Sequence, residues 1–415
     1  MSFEEFVANR HAAGELVVQP RMGFADPAAM RAGLAATKAA RAATVGTVTL
    51  DSYTRICDTD SAAHALRHGI PLNGYPIVNH PPEATREMLD GIEGPDFPVQ
   101  VRHGSARPAD IFRAMIAAGL HATEGGPVSY CLPYSRTPLD ESVRNWSRCC
   151  ELLLAAGHRD ARPHLETFGG CMLGQLCPPS ELVALSVLEA LFFYRKGLRS
   201  ISVSYAQQTN MAQDREAVAA LRRLCAELLP GATWHVVIYA YMGMFPRSAE
   251  GARFLLGKAA ELAMTSGAER LIVKTAVEAD RIPTIAENVA ALEHAGTVAA
   301  SVPPTDTVDS DNQVYREAYA FVDAVLNSHA DLGRALVVAF KRGLLDVPFC
   351  LHPDNAGQAR SHLDPEGRLG WSALGSLPLR GVAERGHASA ITSSTLMSAL
   401  SYVQHTYDTK ALEQR

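Results

Sequence analysis

The stretch Phe97-Pro98-Val99-Gln100-Val101-Arg102-His103-Gly104 reads as a short buried strand that stops abruptly at a cation, an imidazole and a glycine. In a barrel of parallel strands, the C-terminal end of each strand carries the chemistry. Arg102 keeps its charge at any ordinary pH, and its planar fork suits a carboxylate or a phosphate. The reading of the chain therefore turns on whether other segments repeat this pattern and point at the same place.

They do. Strand-like runs recur at Leu16–Pro20, Thr44–Leu50, Leu72–Val78, Leu120–Thr123, Pro163–Leu165, Ser200–Ser204, Trp234–Tyr239 and Arg270–Lys274. Ala- and Leu-rich amphipathic patterns lie between them, clearest over Ala184–Tyr194, Glu216–Leu228 and Ala252–Met264. Regular alternation of strand and helix implies a parallel sheet with helical crossovers, and this many units predicts a (β/α)8 barrel. No Gly-x-Gly-x-x-Gly follows a strand. In Glu124-Gly125-Gly126-Pro127 a proline stands where a helix interior rejects one, which argues against a dinucleotide fold. The rhythm breaks near residue 300. A polar linker over Ser301–Asn312 precedes helices at Val314–Asn327 and Gly333–Asp346, then an irregular arm over Leu351–Gly386. The expected organisation is a barrel over residues 1–300 with C-terminal helices and a wrapping arm over 301–415. Asn355-Ala356-Gly357 reads as a turn in that arm.

Composition narrows the function. The 415 residues are 47% hydrophobic and 20% charged, with net charge −6, as in a large-cored globular enzyme. Acids and bases are mixed, with no basic stripe for nucleic acid. No apolar run reaches the ~18 residues of a membrane span. The start, Met1-Ser2-Phe3-Glu4-Glu5-Phe6, lacks the apolar core of an export signal, so a cytoplasmic location is expected. Eight scattered cysteines without a Cys-x-x-Cys pair fit reduced thiols, and Cys149-Cys150 falls in a helical pattern as packing. The fifteen histidines form no ligand motif, so no protein-held metal is expected.

The strand ends collect polar residues. Arg21 follows the first strand, Arg55 the second, and Arg102 closes the opening stretch. Asn73 lies at the third, Glu124 at the fifth with Tyr130 and Tyr134 beyond it, and Lys274 at the last with Glu278 four residues on. Three arginines at three strand ends form no local charged face; in a barrel they converge on one mouth and clamp a dianion such as a dicarboxylate. Each alone has a structural reading too, pairing with a loop acid such as Asp51. Glu124 beside these cations suits an ammonium group or a proton shuttle, or simply a salt bridge. Tyr130 and Tyr134 are substrate donors or core aromatics. Lys274 ends an apolar strand as Schiff-base lysines do in barrel lyases, or with Glu278 binds a hydroxyl pair, or caps the barrel. His103 reads as a packed imidazole.

These segments, in order, resemble the large (epsilon) subunit of glutamate mutase, also called methylaspartate mutase. The resemblance rests on Gln19-Pro20-Arg21, Asp51-Ser52-Tyr53-Thr54-Arg55, Leu72-Asn73-Gly74, Arg102-His103-Gly104, Glu124-Gly125-Gly126, Ser129-Tyr130 and Pro133-Tyr134. It continues through Met242-Gly243, Phe245-Pro246, Val273-Lys274-Thr275, Glu278-Ala279 and Asp346-Val347-Pro348-Phe349. It implies a (β/α)8 barrel paired with a separate small cobalamin-binding subunit. Adenosylcobalamin would lie between the two, and a dimer of this chain would complete a heterotetramer. No Asp-x-His-x-x-Gly occurs here, in keeping with a carrier on another chain. By resemblance, Arg21, Arg55 and Arg102 match the clamp on the substrate carboxylates, and Glu124 the contact to its amino group. Tyr130 and Tyr134 complete that site. Lys274 and Glu278 match the pair on the adenosyl ribose, and Asn73 a residue near the cofactor. The implied reaction is radical rearrangement of glutamate to 3-methylaspartate.

The chain departs from the family at three strand ends. Leu165-Glu166-Thr167-Phe168-Gly169-Gly170 stands for Arg-Glu-Pro-Phe-Gly-Pro, and Ser204-Tyr205-Ala206 for Gly-Tyr-Gly. Ile238-Tyr239-Ala240-Tyr241-Met242-Gly243-Met244 stands for Phe-His-Gln-Trp-Met-Gly-Gly, which puts Tyr239 in place of a histidine. These changes reshape the cavity and leave room for another amino diacid. Two other readings stay open: a Schiff-base barrel lyase using Lys274, and a non-catalytic binding subunit with a degenerate pocket.

Overall fold

The computed structural model describes residues 1–157, 162–172, 176–278, 281–303, 305–384 and 392–413. Ala279, Pro304 in the expected linker, and the last two residues of the expected arm, Arg385 and Gly386, lie outside them.

Eight parallel strands build the centre: β1 Val17–Gln19, β2 Gly46–Thr49, β3 Val99–Arg102, β4 Ala122–Glu124, β5 His164–Glu166, β6 Ser200–Ala206, β7 Thr233–Tyr239 and β8 Arg270–Ile272. Each pairs with its sequence neighbour from β2 to β8, and β1 pairs with β8 through Val17↔Arg270, Val18↔Leu271 and Gln19↔Ile272. The last seam, between β1 and β2, is closed by a parallel bridge at Val18↔Thr44, where Val18 N–H donates to Ala43 O at 2.8 Å. The sheet therefore has no open edge, and the fold is the (β/α)8 barrel.

One expected strand is absent. Over residues 72–78 the backbone touches the sheet only at the bridge Leu50↔Tyr75. Pro71 and Pro76 have no N–H to extend a ladder there. The segment packs as a loop, and a Cβ on Gly74 would sit 2.5 Å from the Leu50 carbonyl carbon.

The helix expected to be amphipathic over 184–194 runs Pro179–Arg195 and is buried on every side through Phe193. Its outer face is covered by the helix Gln313–Leu326, where Ser180 Oγ donates to Glu317 at 2.6 Å. A helix that is apolar all round belongs in an interior, and here the chain beyond the barrel supplies the second layer. The arm contains an antiparallel hairpin, β9 Arg360–Leu363 and β10 Leu369–Ala373. It is fixed to the barrel helix Met211–Leu228 by reciprocal bonds between Gln213 and Leu369 at 2.8 Å each. The expected turn at Asn355–Gly357 is held by Asp346, whose carboxylate accepts the N–H groups of Gly357, Gln358 and Ala359 at 2.6–2.7 Å. A further helix, Ser393–Glu413, packs on the helix Ala249–Thr265. All eight cysteines are free, and all but Cys57 are buried. Among the described residues no helix is long and apolar enough to cross a membrane.

The N-terminal helix Phe3–Ala12 closes the barrel base. Its capping box joins Ser2 and Glu5, Phe3 stacks on His164 at 4.6 Å, and Glu4 reaches His235 Nδ1 at 2.7 Å.

At the opposite end Glu189, on the buried helix Pro179–Arg195, ties two loops together. Its carboxylate accepts from Val128 N, Ser129 N, Ser129 Oγ, Phe168 N and Gly169 N at 2.9–3.2 Å. Gly126 is a requirement of this packing, because a Cβ there would lie 2.0 Å from the Glu189 carboxyl. Glu189→Gln turns one of the two acceptors into a donor facing N–H groups. It should cost about 3 kcal/mol in urea unfolding. Gly126→Ala should lower Tm through the same clash, and unchanged stability in both would show that the loops are held by other means.

Candidate functional site

The barrel interior is polar in register. Side chains at alternate strand positions point inward. Those positions carry Gln100 and Arg102 on β3, His164 and Glu166 on β5, Ser200, Ser202 and Ser204 on β6, and His235 and Tyr239 on β7. A middle layer forms one network. Gln19 Nε2 donates to Thr47 Oγ1 and to Gln100 Oε1 at 2.8 Å each, and Gln100 Nε2 donates to Glu166 Oε2 at 3.1 Å. Arg270 donates to Glu166 and Gln19, to Ser202 Oγ at 2.9 Å, and through Nε to His235 Nε2 at 3.2 Å.

The layer above holds the centre. Glu124 Oε2 accepts from Arg102 Nε at 2.7 Å and from the Tyr239 hydroxyl at 2.6 Å, and the Tyr130 hydroxyl donates to Oε1. The Tyr239 hydroxyl also contacts Glu166 Oε1, and Arg102 lies over the Tyr239 ring at 5.3 Å. Burial alone would raise the Glu124 pKa; the Arg102 charge and the hydrogen bonds from Arg102, Tyr130 and Tyr239 outweigh it and hold the carboxyl below its ordinary value. Burial works likewise against the Arg102 charge, and Glu124 more than restores it. The imidazole of His103 is a packing group. It lies 5.7 Å from the Trp146 ring and accepts the Ser105 N–H at Nδ1, and burial lowers its pKa to about 3.

The three arginines meet at the mouth. Arg55 ends a single helical turn, Ser52–Arg55, capped by Asp51, which accepts from Tyr53 N and Thr54 N. Asp51 is thus engaged in the cap and pairs with no arginine among the described residues. Arg55 donates through Nε to Leu50 O at 2.8 Å, and its terminal nitrogens bond to no described residue. Its pKa falls below the ordinary value, first through burial and further through repulsion from Arg102 and Arg21, against the pull of Tyr130 and Glu124. Arg102, Arg21, Tyr130 and Glu124 thus all act on the Arg55 charge. Beside it a cavity of about 700 Å³ is lined by Arg55, Gly104, Tyr134 and His352, and by two cations outside the expected set, Arg107 and Arg136. Tyr134 is 49% exposed, a rim residue and not a core aromatic.

The remaining expected residues divide. Glu278 binds Arg21 Nη1 at 2.6 Å, so the sequence pair Lys274/Glu278 is realised as Arg21/Glu278. Lys274 Nζ is buried, lies 4.3 Å from the Phe245 ring centre, and makes no hydrogen bond to a described residue. Asn73 accepts the Ser52 N–H at 2.9 Å and ties its loop to the Arg55 turn. Gln100 and Arg270 lie outside the expected site, and Glu166 and Tyr239 entered the expectation only as departures from the family pattern, with no assigned role. The alternation of polar residues in Ser200-Ile201-Ser202-Val203-Ser204 was the available signal that the interior is wet in character. Spacing also gave no sign that Glu4, His164 and His235 meet at the base, with ligand-type atoms within 4.8 Å of one another. Both ring nitrogens of each histidine already have hydrogen-bond partners.

A closed parallel barrel with a buried arginine–glutamate centre and a cationic mouth defines a (β/α)8-barrel protein with its charged site at the strand C-termini. The family model described as methylaspartate mutase E chain (MutE) matches residues 1–398. The glutamate mutase epsilon subunit of Halobacterium salinarum is 33% identical over 356 residues, covering 83% of this chain and 74% of the relative. That of Escherichia coli O157:H7 is 31% identical over 352 residues, covering 80% and 72%. Among solved structures, the tryptophan synthase alpha subunit of Legionella pneumophila aligns with a TM-score of 0.33 and 10% identity, over 72% of this chain and 98% of that one, a likeness too slight to carry an argument. The chain belongs to the methylaspartate mutase E chain family.

Burial lowers the Lys274 pKa to about 8, Arg21 adds to the shift, and Glu278 opposes it. The group contributes stability above its unfolded value of about 10.4 and loses it as pH falls through about 8. Lys274→Met should therefore stabilise the chain by about 3 kcal/mol at most below pH 8, with the gain shrinking as pH rises toward the ordinary lysine value. A pH-independent difference in unfolding free energy would contradict the shift.

Proposed function

We propose that this chain is the catalytic subunit of a glutamate mutase-type isomerase, which converts L-glutamate to 3-methylaspartate or rearranges a related amino diacid. In this reading it acts in the cytoplasm, as a dimer joined by small cobalamin-binding subunits. The observation that carries the reading is the buried Arg102–Glu124 pair at 2.7 Å beside the Arg55 guanidinium, whose terminal nitrogens bond to no described residue and whose charge is acted on by Glu124, Arg102 and Arg21. Two carboxylates need two cationic forks, and an ammonium group needs an anion at fixed distance from them. Arg102 and Arg55 have terminal nitrogens without partners among the described residues, as a clamp awaiting an anion requires. Glu124 would accept the ammonium, and Tyr130 and Tyr134 would line the site.

The residues present fit adenosylcobalamin. Lys274 Nζ and the buried Thr275 Oγ1 both lack hydrogen-bond partners among the described residues, so a sugar diol would find donors there. Glu278 stands next to them, and Asn73 borders the same mouth. When bound, that cofactor supplies hydrogen-atom abstraction through its adenosyl radical. The chain's part is orientation and exclusion of water. Phe168 packs on Tyr130 at 5.0 Å and on Tyr239 at 5.4 Å, and these rings wall the charged centre from solvent.

The test is to combine the chain with its small subunit and adenosylcobalamin and to assay 3-methylaspartate from glutamate. No product with a competent small subunit would remove glutamate as substrate. A complex that binds the cofactor yet turns over no amino diacid would favour the non-catalytic binding subunit. Arg102→Lys should reduce kcat/KM about 10- to 100-fold, since a point charge cannot supply the fork. Unchanged kcat/KM would exclude Arg102 from the clamp. The depressed pKa of Lys274 favours a second reading, a Schiff-base lyase. Borohydride trapping with a carbonyl substrate decides it: an adduct at Lys274 supports it, and none rejects it.

A further inference from the structure

Tyr239 stands between two carboxylates. Its hydroxyl oxygen lies 2.6 Å from Glu124 Oε2 and within hydrogen-bond contact of Glu166 Oε1. A phenol carries one hydrogen. It can donate to one of these oxygens; at the other, two lone pairs would face each other. Glu124 and Glu166 are 1% and 0% exposed, which leaves no solvent to relieve that contact.

The other donors are already assigned. Glu124 Oε1 accepts from Tyr130, and Oε2 accepts from Arg102 Nε. Glu166 Oε2 accepts from Arg270 Nη2, from Gln100 Nε2 at 3.1 Å and from Ser202 Oγ at 3.2 Å. Glu166 Oε1 has only the Tyr239 hydroxyl as partner among the described residues. The bridge is one hydrogen short.

We propose that the bridge Glu166–Tyr239–Glu124 holds one additional proton at neutral pH, on Glu166 Oε1, so that Glu166 donates to Tyr239 and Tyr239 donates to Glu124. The proton comes from solvent, and no heavy-atom bond changes. Tyr239 thereby becomes a positioning residue: it fixes Glu124 by a bond of defined direction, beneath the three arginines. This assignment does not depend on the substrate or the cofactor.

The surroundings agree. Every strand packed against the bridge contributes: Gln100 and Arg102 from β3, Ser202 from β6, His235 from β7 and Arg270 from β8, with Tyr130 from the loop after β4 and Cys171 from the turn after β5. Burial, then the Glu124 charge, push the Tyr239 phenol well above its ordinary pKa, so it keeps its own hydrogen. Burial pushes the Cys171 thiol well up, so it adds no charge. Glu124 has the directly bonded Arg102 as its counter-charge and stays ionised. A neutral Glu166 does not strand Arg270. The Arg270 guanidinium bonds His235 Nε2 at 3.2 Å, and His235 Nδ1 meets the Glu4 carboxylate at 2.7 Å, which relays a negative charge to it.

Infrared spectroscopy of the full chain at neutral pH tests this. Glu166→Gln mimics the protonated acid, with an amide N–H toward Tyr239 and a carbonyl toward Arg270. The difference spectrum, native minus variant, should contain one protonated-carboxyl stretch that moves in D2O. Other buried acids, such as Glu181 with its pKa raised by burial to about 8, occur in both proteins and cancel. Absence of that band from the difference spectrum, with the variant folded, overturns the proposal. If Glu166→Gln does not fold, native chain labelled with δ-13C glutamate serves instead. A protonated-carboxyl resonance that shifts on Tyr239→Phe supports the proposal, and none responding to that change rejects it.

Discussion

Arg102 and Glu124 hold opposite charges 2.7 Å apart with almost no water on either. Neither survives there alone, because removing one partner of such a pair typically costs 3–5 kcal/mol. The demand spreads outward. Glu124 takes Tyr130 and Tyr239 as further donors, Tyr239 brings in Glu166, and Glu166 brings in Arg270. One ion pair at the mouth thus commits the whole barrel axis to polar side chains.

That commitment explains the layers. The axis is filled by Gln19, Thr47, Gln100 and Ser202, and the apolar core is displaced to the space between strands and helices. The chain closes the base with Phe3 and Glu4 of the first helix. It closes the outside with the helices after the barrel, which bury the helix Pro179–Arg195 as far as Phe193 and so hold Glu189 in place. Glu189 in turn sets the loops that carry Tyr130 and Phe168. The position of Tyr130, a donor to Glu124, is thereby fixed from a helix on the far side of the sheet.

The departures from the family pattern acquire a physical sense in this frame. Gly170 lies so near β6 that a Cβ would sit 1.8 Å from Ser204 O. Thr167 Oγ1 accepts the Ser204 N–H at 3.0 Å and contacts Ser186 Oγ at 2.7 Å. These small and hydroxylated residues let β5 and β6 approach, which brings Glu166 under Tyr239. The altered positions are therefore neighbours in one rearranged corner of the mouth.

The barrel was legible in the chain because short apolar strands and helical crossovers are local patterns. Eight of nine expected strands form; residues 72–78 mimic one in composition, and Pro76, with Pro71 just before them, prevents the ladder. The cationic mouth was legible too, since arginines at strand ends can only converge if the strands are parallel and closed. Pairing was not legible. That Glu278 meets Arg21, that Lys274 keeps a bare amine, and that Tyr239 bridges two glutamates are results of distances between residues 73 to 257 positions apart in the chain. The amino-acid sequence by itself determined which strand ends carry charge. Only closure of the barrel decided which charges neutralise each other and which face the cavity, because a guanidinium out of water is committed by whichever carboxylate the fold brings within hydrogen-bond reach.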